Sequence, residues 1–276
     1  MCAFEHPDTI DNKYEPDRKL AVVLGLGEIG RPIYEMLKEA HGDLNVYGRD
    51  IDPPTWVYTT FKFMHVCIPQ SPSLVSALDS YVKAYQPEII IIHSTLSPGI
   101  STYLDSRYDA AVYYSPVRGN INDGMKWSLE RYTKYVAAWN YDESVIHHLR
   151  KAFPKTMFVE DPTALEWAKI LDLAWYGLNI GFYQEIERLS EEKNFNYSVV
   201  KEFIRTTPEE SEGKAARTIL YGGYIGGHCV IPAIEKVLVQ KEIPMLRAVI
   251  DSNIKRQEEL LLDRPKHHPE PRRPNE

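Results

Sequence analysis

Residues 19–52, KLAVVLGLGEIGRPIYEMLKEAHGDLNVYGRDID, constrain the fold more than any other stretch of the chain. Residues 19–24 are an apolar run of strand length, and Gly25-Leu26-Gly27-Glu28-Ile29-Gly30 follows at once. Over residues 29–40, Ile29, Ile33, Met36, Leu37 and Ala40 fall at helical spacing. A second apolar run, 44–47, leads into Gly48-Arg49-Asp50-Ile51-Asp52. Strand, glycine turn, helix, strand and terminal acid make up a dinucleotide-binding unit. Gly25 makes the tight turn, Gly27 lets the backbone approach a pyrophosphate, and Gly30 lets the helix pack on the strand. The helix N-terminus presents N–H groups and a partial positive charge to the phosphates. Asp50 stands twenty residues after Gly30, where a carboxylate accepts from both ribose hydroxyls and repels a 2′-phosphate. NAD is therefore expected over NADP, with Arg49 the neighbour able to turn toward such a phosphate. The alternative reading of the stretch is a glycine turn inside an ordinary α/β unit.

The alternation continues to about residue 161. Strands are expected over 61–68, 88–93, 110–114, 134–139 and 156–159, and helices over 71–85 and 144–153. The run EIIIIH is nearly all apolar, as in a central parallel strand. The fold class is α/β: a Rossmann-type, doubly wound, mainly parallel sheet. Ligands bind such sheets beyond the carboxyl ends of the strands, where the turns at Gly25, Pro69, Thr95 and Ser115 fall. From Pro162 to Lys193 the pattern becomes one long helix, with Asp161 as its cap, followed by helices over 198–205, 231–240 and 244–262. An all-helical domain with a long central helix is thus expected after the sheet. Gly177 and Gly181, four residues apart, would let another backbone approach, whether in a core helix or a dimer-forming one. The expected domains are a flexible arm 1–18, an NAD-binding domain 19–161, a helical dimerisation and catalytic domain 162–263, and a disordered tail 264–276.

Net charge is −7, and no basic stretch is interleaved with aromatics, which argues against a nucleic-acid partner. No apolar stretch reaches membrane length, and the polar, acidic N-terminus is unlike a signal peptide. Cys2, Cys67 and Cys229 form no CxxC and have no metal-ligand spacing, which fits a reducing, cytoplasmic setting without a metal site.

Several stretches, in order, carry a resemblance: GLGEIG with RDID, STLSPG, SPVR, EWAKILDLAWYGLNIGFYQEI, GGHC and EIPMLRAVIDSNIKRQ. Over roughly residues 19–262 the chain resembles the UDP-glucose/GDP-mannose dehydrogenases. That family oxidises a nucleotide-sugar alcohol to a carboxylate with two NAD, through a cysteine thioester that water hydrolyses. The resemblance implies Cys229 as nucleophile, Lys169 as the lysine that moves the alcohol proton and holds the oxyanion, and Thr95 as a residue near the hydrolytic water. Taken alone, Cys229 also fits a buried inert thiol, Lys169 an ion-pair ladder with Glu166 and Asp172, and Thr95 a strand-end turn. The resemblance further implies a cofactor-contact set of Gly25, Gly27, Glu28, Ile29, Gly30, Asp50, Pro69 and Thr95, and a homodimer formed through the long helix.

Three positions depart from the family pattern. Leu173 stands where the family has an asparagine, Val117 where it has a glutamate base, and Ala233 where it has an aspartate. A general base contributes about 10²–10⁴-fold, so the hydrolytic half-reaction loses support; Glu235 is the nearest carboxylate to Ala233. The family also carries a third domain that grips the substrate nucleotide, and the sequence ends where that domain would begin. Three readings stay open: another chain completes a nucleotide-sugar site, the substrate is a smaller alcohol oxidised in one two-electron step, or the protein is a catalytically impaired NAD binder acting through a partner.

Overall fold

The computed structural model describes residues 19–50, 60–119 and 124–262. The expected arm, residues 51–59 and 120–123, and the tail lie outside the described residues. The chain divides into two compact units between Glu166 and Trp167.

The first unit is a seven-stranded sheet in the order β2-β1-β3-β4-β5-β6-β7. Its strands are β1 (Lys19–Leu24), β2 (Val46–Arg49), β3 (Phe61–Val66), β4 (Ile89–Ile92), β5 (Ala111–Tyr114), β6 (Lys134–Ala137) and β7 (Thr156–Val159). All neighbours run parallel except β5 and β6, which meet antiparallel at Tyr114 and Ala137. The chain runs outward from β1 to β2, then crosses back so that β3 pairs with β1's other edge. That reversal opens a crevice at the carboxyl ends of β1 and β3.

Helices α1 (Gly30–His41), α2 (Leu74–Tyr85), α3 (Ile100–Arg107), α4 (Met125–Arg131) and α5 (Glu143–Ala152) belong to this unit. Parallel strands buried on both faces need apolar side chains on each. One face packs Ala21, Val23, Phe63 and Ile91 against Ile33 and Leu37 of α1 and Ile146 and Leu149 of α5. The other packs Val22, Met64, Val66 and Ile90 against Leu74 and Leu78 of α2 and Leu104 of α3.

Among the differences from the sequence reading, two have a plain physical cause. The second strand begins at Val46 rather than residue 44. Val46 pairs with Ala21 and is buried, whereas Leu44 is 83% exposed, so its apolarity signals no strand. Helices α3 and α4 are additional. Their sequences, ISTYLDSR and MKWSLER, are short and polar, and periodicity carries little signal over two turns.

Helix α6 (Pro162–Lys193) spans the division. Asp161 caps it, accepting from the Ala164 N–H at 2.9 Å, and Leu165 joins the sheet core. The second unit holds the rest of α6 with α7 (Tyr197–Glu210), α8 (Val230–Gln240) and α9 (Pro244–Leu262). Its core joins Ile170 and Ala174 of α6 to Ala233, Ile234 and Val237 of α8 and Leu246 and Val249 of α9. The two α6 glycines serve this packing. A Cβ on Gly177 would lie 2.8 Å from Val230, and one on Gly181 would lie 3.4 Å from Val249. Their close approach is made by the chain's own α8 and α9.

Candidate functional site

The glycine turn after β1 is built as the sequence requires. Gly25 has φ +83°, and a Cβ there would lie 3.0 Å from the Cys67 carbonyl oxygen. A Cβ on Gly30 would lie 1.6 Å from the Gly25 carbonyl oxygen, so the first turn of α1 rests on the loop backbone. Gly27 differs: nothing stands within 4 Å of its Cβ position. Of the three turn glycines, Gly27 alone faces open space, as a position apposed to a ligand phosphate would. Ile29 begins α1 without any side-chain cap, so its N-terminal N–H groups are not taken by a capping side chain. Glu28 lies between these glycines on the same loop. At the end of β2, an Asp50 carboxylate oxygen lies 3.4 Å from the Leu26 N–H, which brings the acid to the glycine turn. Arg49 donates from Nε to the Tyr85 hydroxyl at 3.2 Å. These residues fit a dinucleotide: a phosphate cradle at Gly27, a helix terminus behind it and a carboxylate beside it.

The neighbouring turns are tied together. Ser94 Oγ donates to the Ile68 carbonyl at 2.5 Å, and the Ser97 N–H donates to Gln70 Oε1 at 2.6 Å. The half-buried Thr95 and the exposed Pro69 thus sit on adjacent, cross-linked turns at the carboxyl ends of β4 and β3. Glu166, fully buried, closes the far side: its carboxylate accepts from the Gly99 N–H at 2.6 Å and the Ser101 N–H at 2.7 Å. Burial pushes its carboxyl above the usual carboxylate range, and the two N–H donors partly offset this. Glu166 is therefore an N-terminal anchor for α3 rather than the rung of a solvent-facing ladder. Gln70 and Glu166 are site residues that the sequence reading did not assign. Their partners lie 27 and 67 residues away in sequence, so no local signal marks them.

Val117 is 6% exposed and packs in the sheet core. The adjacent Arg118 guanidinium lies over the Tyr132 and Tyr135 rings.

In the helical unit, residues 222–229 run from the flank of α6 to the start of α8. A Cβ on Gly222 would lie 2.7 Å from the Tyr183 backbone, so only glycine lets the loop touch α6. Gln184 Nε2 donates to the Gly223 carbonyl at 2.7 Å. Asn253 clamps Ile225 by accepting from its N–H at 2.7 Å and donating to its carbonyl at 3.1 Å. Ser252 Oγ donates to Gln184 Oε1 at 2.9 Å. The loop is fixed at its base, and Gly226, Gly227, His228 and Cys229 are exposed at its tip. Cys229 is the first residue of α8's N-terminal cap, and its carbonyl accepts from the Ala233 N–H. For the half-buried Cys67, burial pushes the thiol up to about 12, against the pull of Lys134. Lys169 is half-buried on α6, about two helical turns before the Gly177 contact with α8. Leu173 and Ala233, the other two departures, both belong to the helical core. Thr95 and the glycine turn lie in the sheet unit, and Lys169 and Cys229 in the helical unit.

Among the described residues there is no cluster of three or more His, Cys, Asp or Glu able to hold a metal, and no helix long and apolar enough to cross a membrane.

No protein-family profile matches the chain, and no curated protein matches it in sequence. Solved structures match in fold. A UDP-D-ManNAc dehydrogenase from Pyrococcus horikoshii superposes with a TM-score of 0.71 at 16% identity, over 88% of this chain and 70% of that one. A UDP-glucose dehydrogenase from Pyrobaculum islandicum gives 0.64 at 15% identity, over 91% and 72%. A 3-hydroxyisobutyrate dehydrogenase from Mycobacterium tuberculosis gives 0.62 at 14% identity, over 86% and 93%. The chain has the fold shared by these dehydrogenases, a Rossmann-type sheet followed by a helical unit.

Proposed function

We propose that the protein is an NAD-dependent dehydrogenase that oxidises an alcohol. The observation that carries this reading is the glycine turn, where two glycines are locked by backbone contacts and the third, Gly27, opens onto space beside Asp50. A nicotinamide cofactor supplies acceptance of a hydride from the alcohol carbon. The chain's own residues do the rest. The α1 N-terminus binds phosphate, Asp50 accepts from the ribose hydroxyls, and Glu28, Ile29, Pro69 and Thr95 line the cofactor. The Lys169 amine takes the alcohol proton and holds the developing oxyanion. NAD is the expected form, because Asp50 repels a 2′-phosphate while Arg49 is engaged with Tyr85.

Within this reading a two-electron oxidation is favoured over the four-electron one. The position of the hydrolytic base is Val117 in the sheet core, and Ala233 and Leu173 are part of the helical core. The exposed Cys229 supports the alternative, thioester chemistry on a nucleotide sugar with a second chain completing the site. Screening alcohols, hydroxy acids and nucleotide sugars for NAD reduction separates the two. Lys169→Ala is expected to lose about 10²–10⁴-fold in kcat. Cys229→Ala is expected to keep most of a single-hydride activity and to abolish any release of carboxylate. Reduction of NADP in preference to NAD, or an unaffected Lys169→Ala, would sink this assignment.

We also propose that the chain forms a homodimer through the helical unit. With Gly177 and Gly181 covered by α8 and α9, α6 still exposes Leu171, Trp175, Phe182 and Leu189, which at this spacing line one side of the helix. Light scattering at micromolar concentration is expected to give twice the 31.8 kDa chain mass; Trp175→Glu with Phe182→Glu should return it to the monomer. A monomeric wild type would refute the dimer.

A further inference from the structure

The mechanism above leaves a cluster of buried titratable side chains unused. His65 on β3, His93 at the end of β4, His148 on α5 and Lys134 on β6 are each at most 3% exposed. They form one chain. His93 Nδ1 lies 2.8 Å from the Ser115 carbonyl and 3.0 Å from Lys134 Nζ. His93 Nε2 lies 3.0 Å from His65 Nδ1, and His65 Nε2 lies 2.9 Å from His148 Nε2. Lys134 Nζ donates to the Ser115 carbonyl, and to the Pro116 carbonyl at 3.1 Å. His148 Nδ1 ends the chain, buried and without a partner, on a ring stacked 3.9 Å from Phe63.

With one proton per ring, the chain has two polarities. If His93 Nδ1–H donates to Ser115, then His65 donates to His93, His148 donates to His65, and His148 Nδ1 keeps a bare lone pair. The reverse lets His93 Nδ1 accept from Lys134 Nζ and leaves an N–H at His148 Nδ1 with no acceptor. In either polarity Lys134 ties the chain to the Ser115 carbonyl, at the base of the turn after β5, while His93 itself adjoins the turn bearing Thr95.

A fourth proton would make one ring an imidazolium among buried side chains. Burial, the largest influence, holds all three imidazoles well below the usual range. The charged neighbours that act on them add to it. Lys134 faces His93 and His65 from β6, Lys62 faces His148 from β3, and Lys151 faces it along α5. His41 of α1, held low by its own burial, stacks on His148 at 4.4 Å, and the Cys67 thiol, within reach of Lys134, stays protonated.

We propose that His65, His93 and His148 with Lys134 form a proton-sensitive latch. In the neutral state they hold the turns after β4 and β5, and protonation in mildly acidic solution releases those turns. These four are positioning residues. The functional consequence, weaker cofactor and substrate binding at acid pH, rests on the dehydrogenase reading; the latch does not.

Hydrogen exchange of the full chain from pH 7.5 to 5.5, corrected for intrinsic rates, tests the latch. The reporters are the Ser115 N–H, bonded to Ile92, and the His93 N–H, bonded to Val66, each at 2.8 Å. Below about pH 6.5 their protection is expected to fall, by up to about tenfold per pH unit for each ring released. The β1 amides should stay better protected than these two at every pH. His93→Asn, whose side-chain N–H can still donate to Ser115 without titrating, should keep the turn closed at pH 7.5 and lose one ring's share of the pH dependence. Imidazole Cε1–H NMR of the wild type gives the same answer without a variant: the three rings should stay neutral until the turn amides begin to exchange. Protection of Ser115 that is independent of pH, or rings that titrate near 6.5 with the turn closed, would overturn the latch. Calorimetric titration with NAD separates the two proposals. Exchange that depends on pH without NAD binding at any pH removes the dehydrogenase reading and leaves the latch standing; NAD binding with flat exchange does the reverse.

Discussion

Gly30→Ala is expected to disrupt the glycine turn and abolish dinucleotide binding, while Gly27→Ala, three residues earlier, is expected to leave the fold intact and weaken binding alone. The contrast follows from what each new methyl meets. At Gly30 it would lie 1.6 Å from the Gly25 carbonyl oxygen, 2.8 Å from the Gly25 carbonyl carbon and 3.0 Å from Cys67 Cβ. Two of those atoms are backbone and cannot swing aside, so α1 must lift off β1 or the turn must open. Overpacking of this kind costs about 1–3 kcal/mol or more, and opening the turn removes the phosphate cradle. At Gly27 the methyl meets no protein atom within 4 Å, and the residue is not among the glycines with positive φ. Stability should change by less than about 0.5 kcal/mol. The methyl would instead occupy the approach of a pyrophosphate. Loss of one charge-assisted hydrogen bond, about 1.5–3 kcal/mol, corresponds to roughly 10–100-fold in Kd. Thermal melts with NAD calorimetry on both variants provide the check. A Gly27→Ala variant that binds NAD like the wild type would show that the turn is not a phosphate cradle.

Acidification is expected to cost the sheet unit more stability than any single substitution. His65, His93 and His148 have folded-state pKa values well below the unfolded value of 6.5, chiefly through burial. Between those values the unfolded chain binds protons that the folded chain refuses. The imidazole contribution is therefore fully present above pH 6.5 and is lost as pH falls below it. Each ring contributes a slope of up to about 1.4 kcal/mol per pH unit, so three set an upper limit of about 4 kcal/mol per pH unit. Set against a typical domain stability of about 5–15 kcal/mol, that slope brings acid unfolding before the carboxylates titrate. Urea midpoints measured from pH 7.5 to 5.5 should fall steeply, and His93→Asn should reduce the slope to about two thirds. A midpoint that holds constant over this range would mean that the three rings are solvated or already charged.

The parts of this molecule legible in its sequence are those whose causes are local. The unit β1–turn–α1 follows from an apolar run, three glycines and a helical repeat within 22 residues. Strand β4 and helix α6 follow from uninterrupted apolarity and from a proline after a capping aspartate. Asp50 could be assigned because one chain reversal fixes its distance from the glycines. What tertiary structure alone decided is whatever depends on partners distant in sequence. Leu44 and Val46 are both apolar, and only pairing with Ala21 makes Val46 the start of β2. Helix α3 is too short to announce itself, and its N-terminus is anchored by Glu166 from 67 residues away. Val117 stands in sequence where the resembled family has a glutamate, and only the structure shows its side chain packed in the core. Gly177 and Gly181 announce a close approach, and packing decides that the chain's own α8 and α9 make it. His65, His93, Lys134 and His148 read one by one as ordinary polar residues in strands and a helix. Their chain exists because β3, β4, β6 and α5 bring their side chains within hydrogen-bonding distance inside a dry core, a juxtaposition that no local sequence pattern encodes.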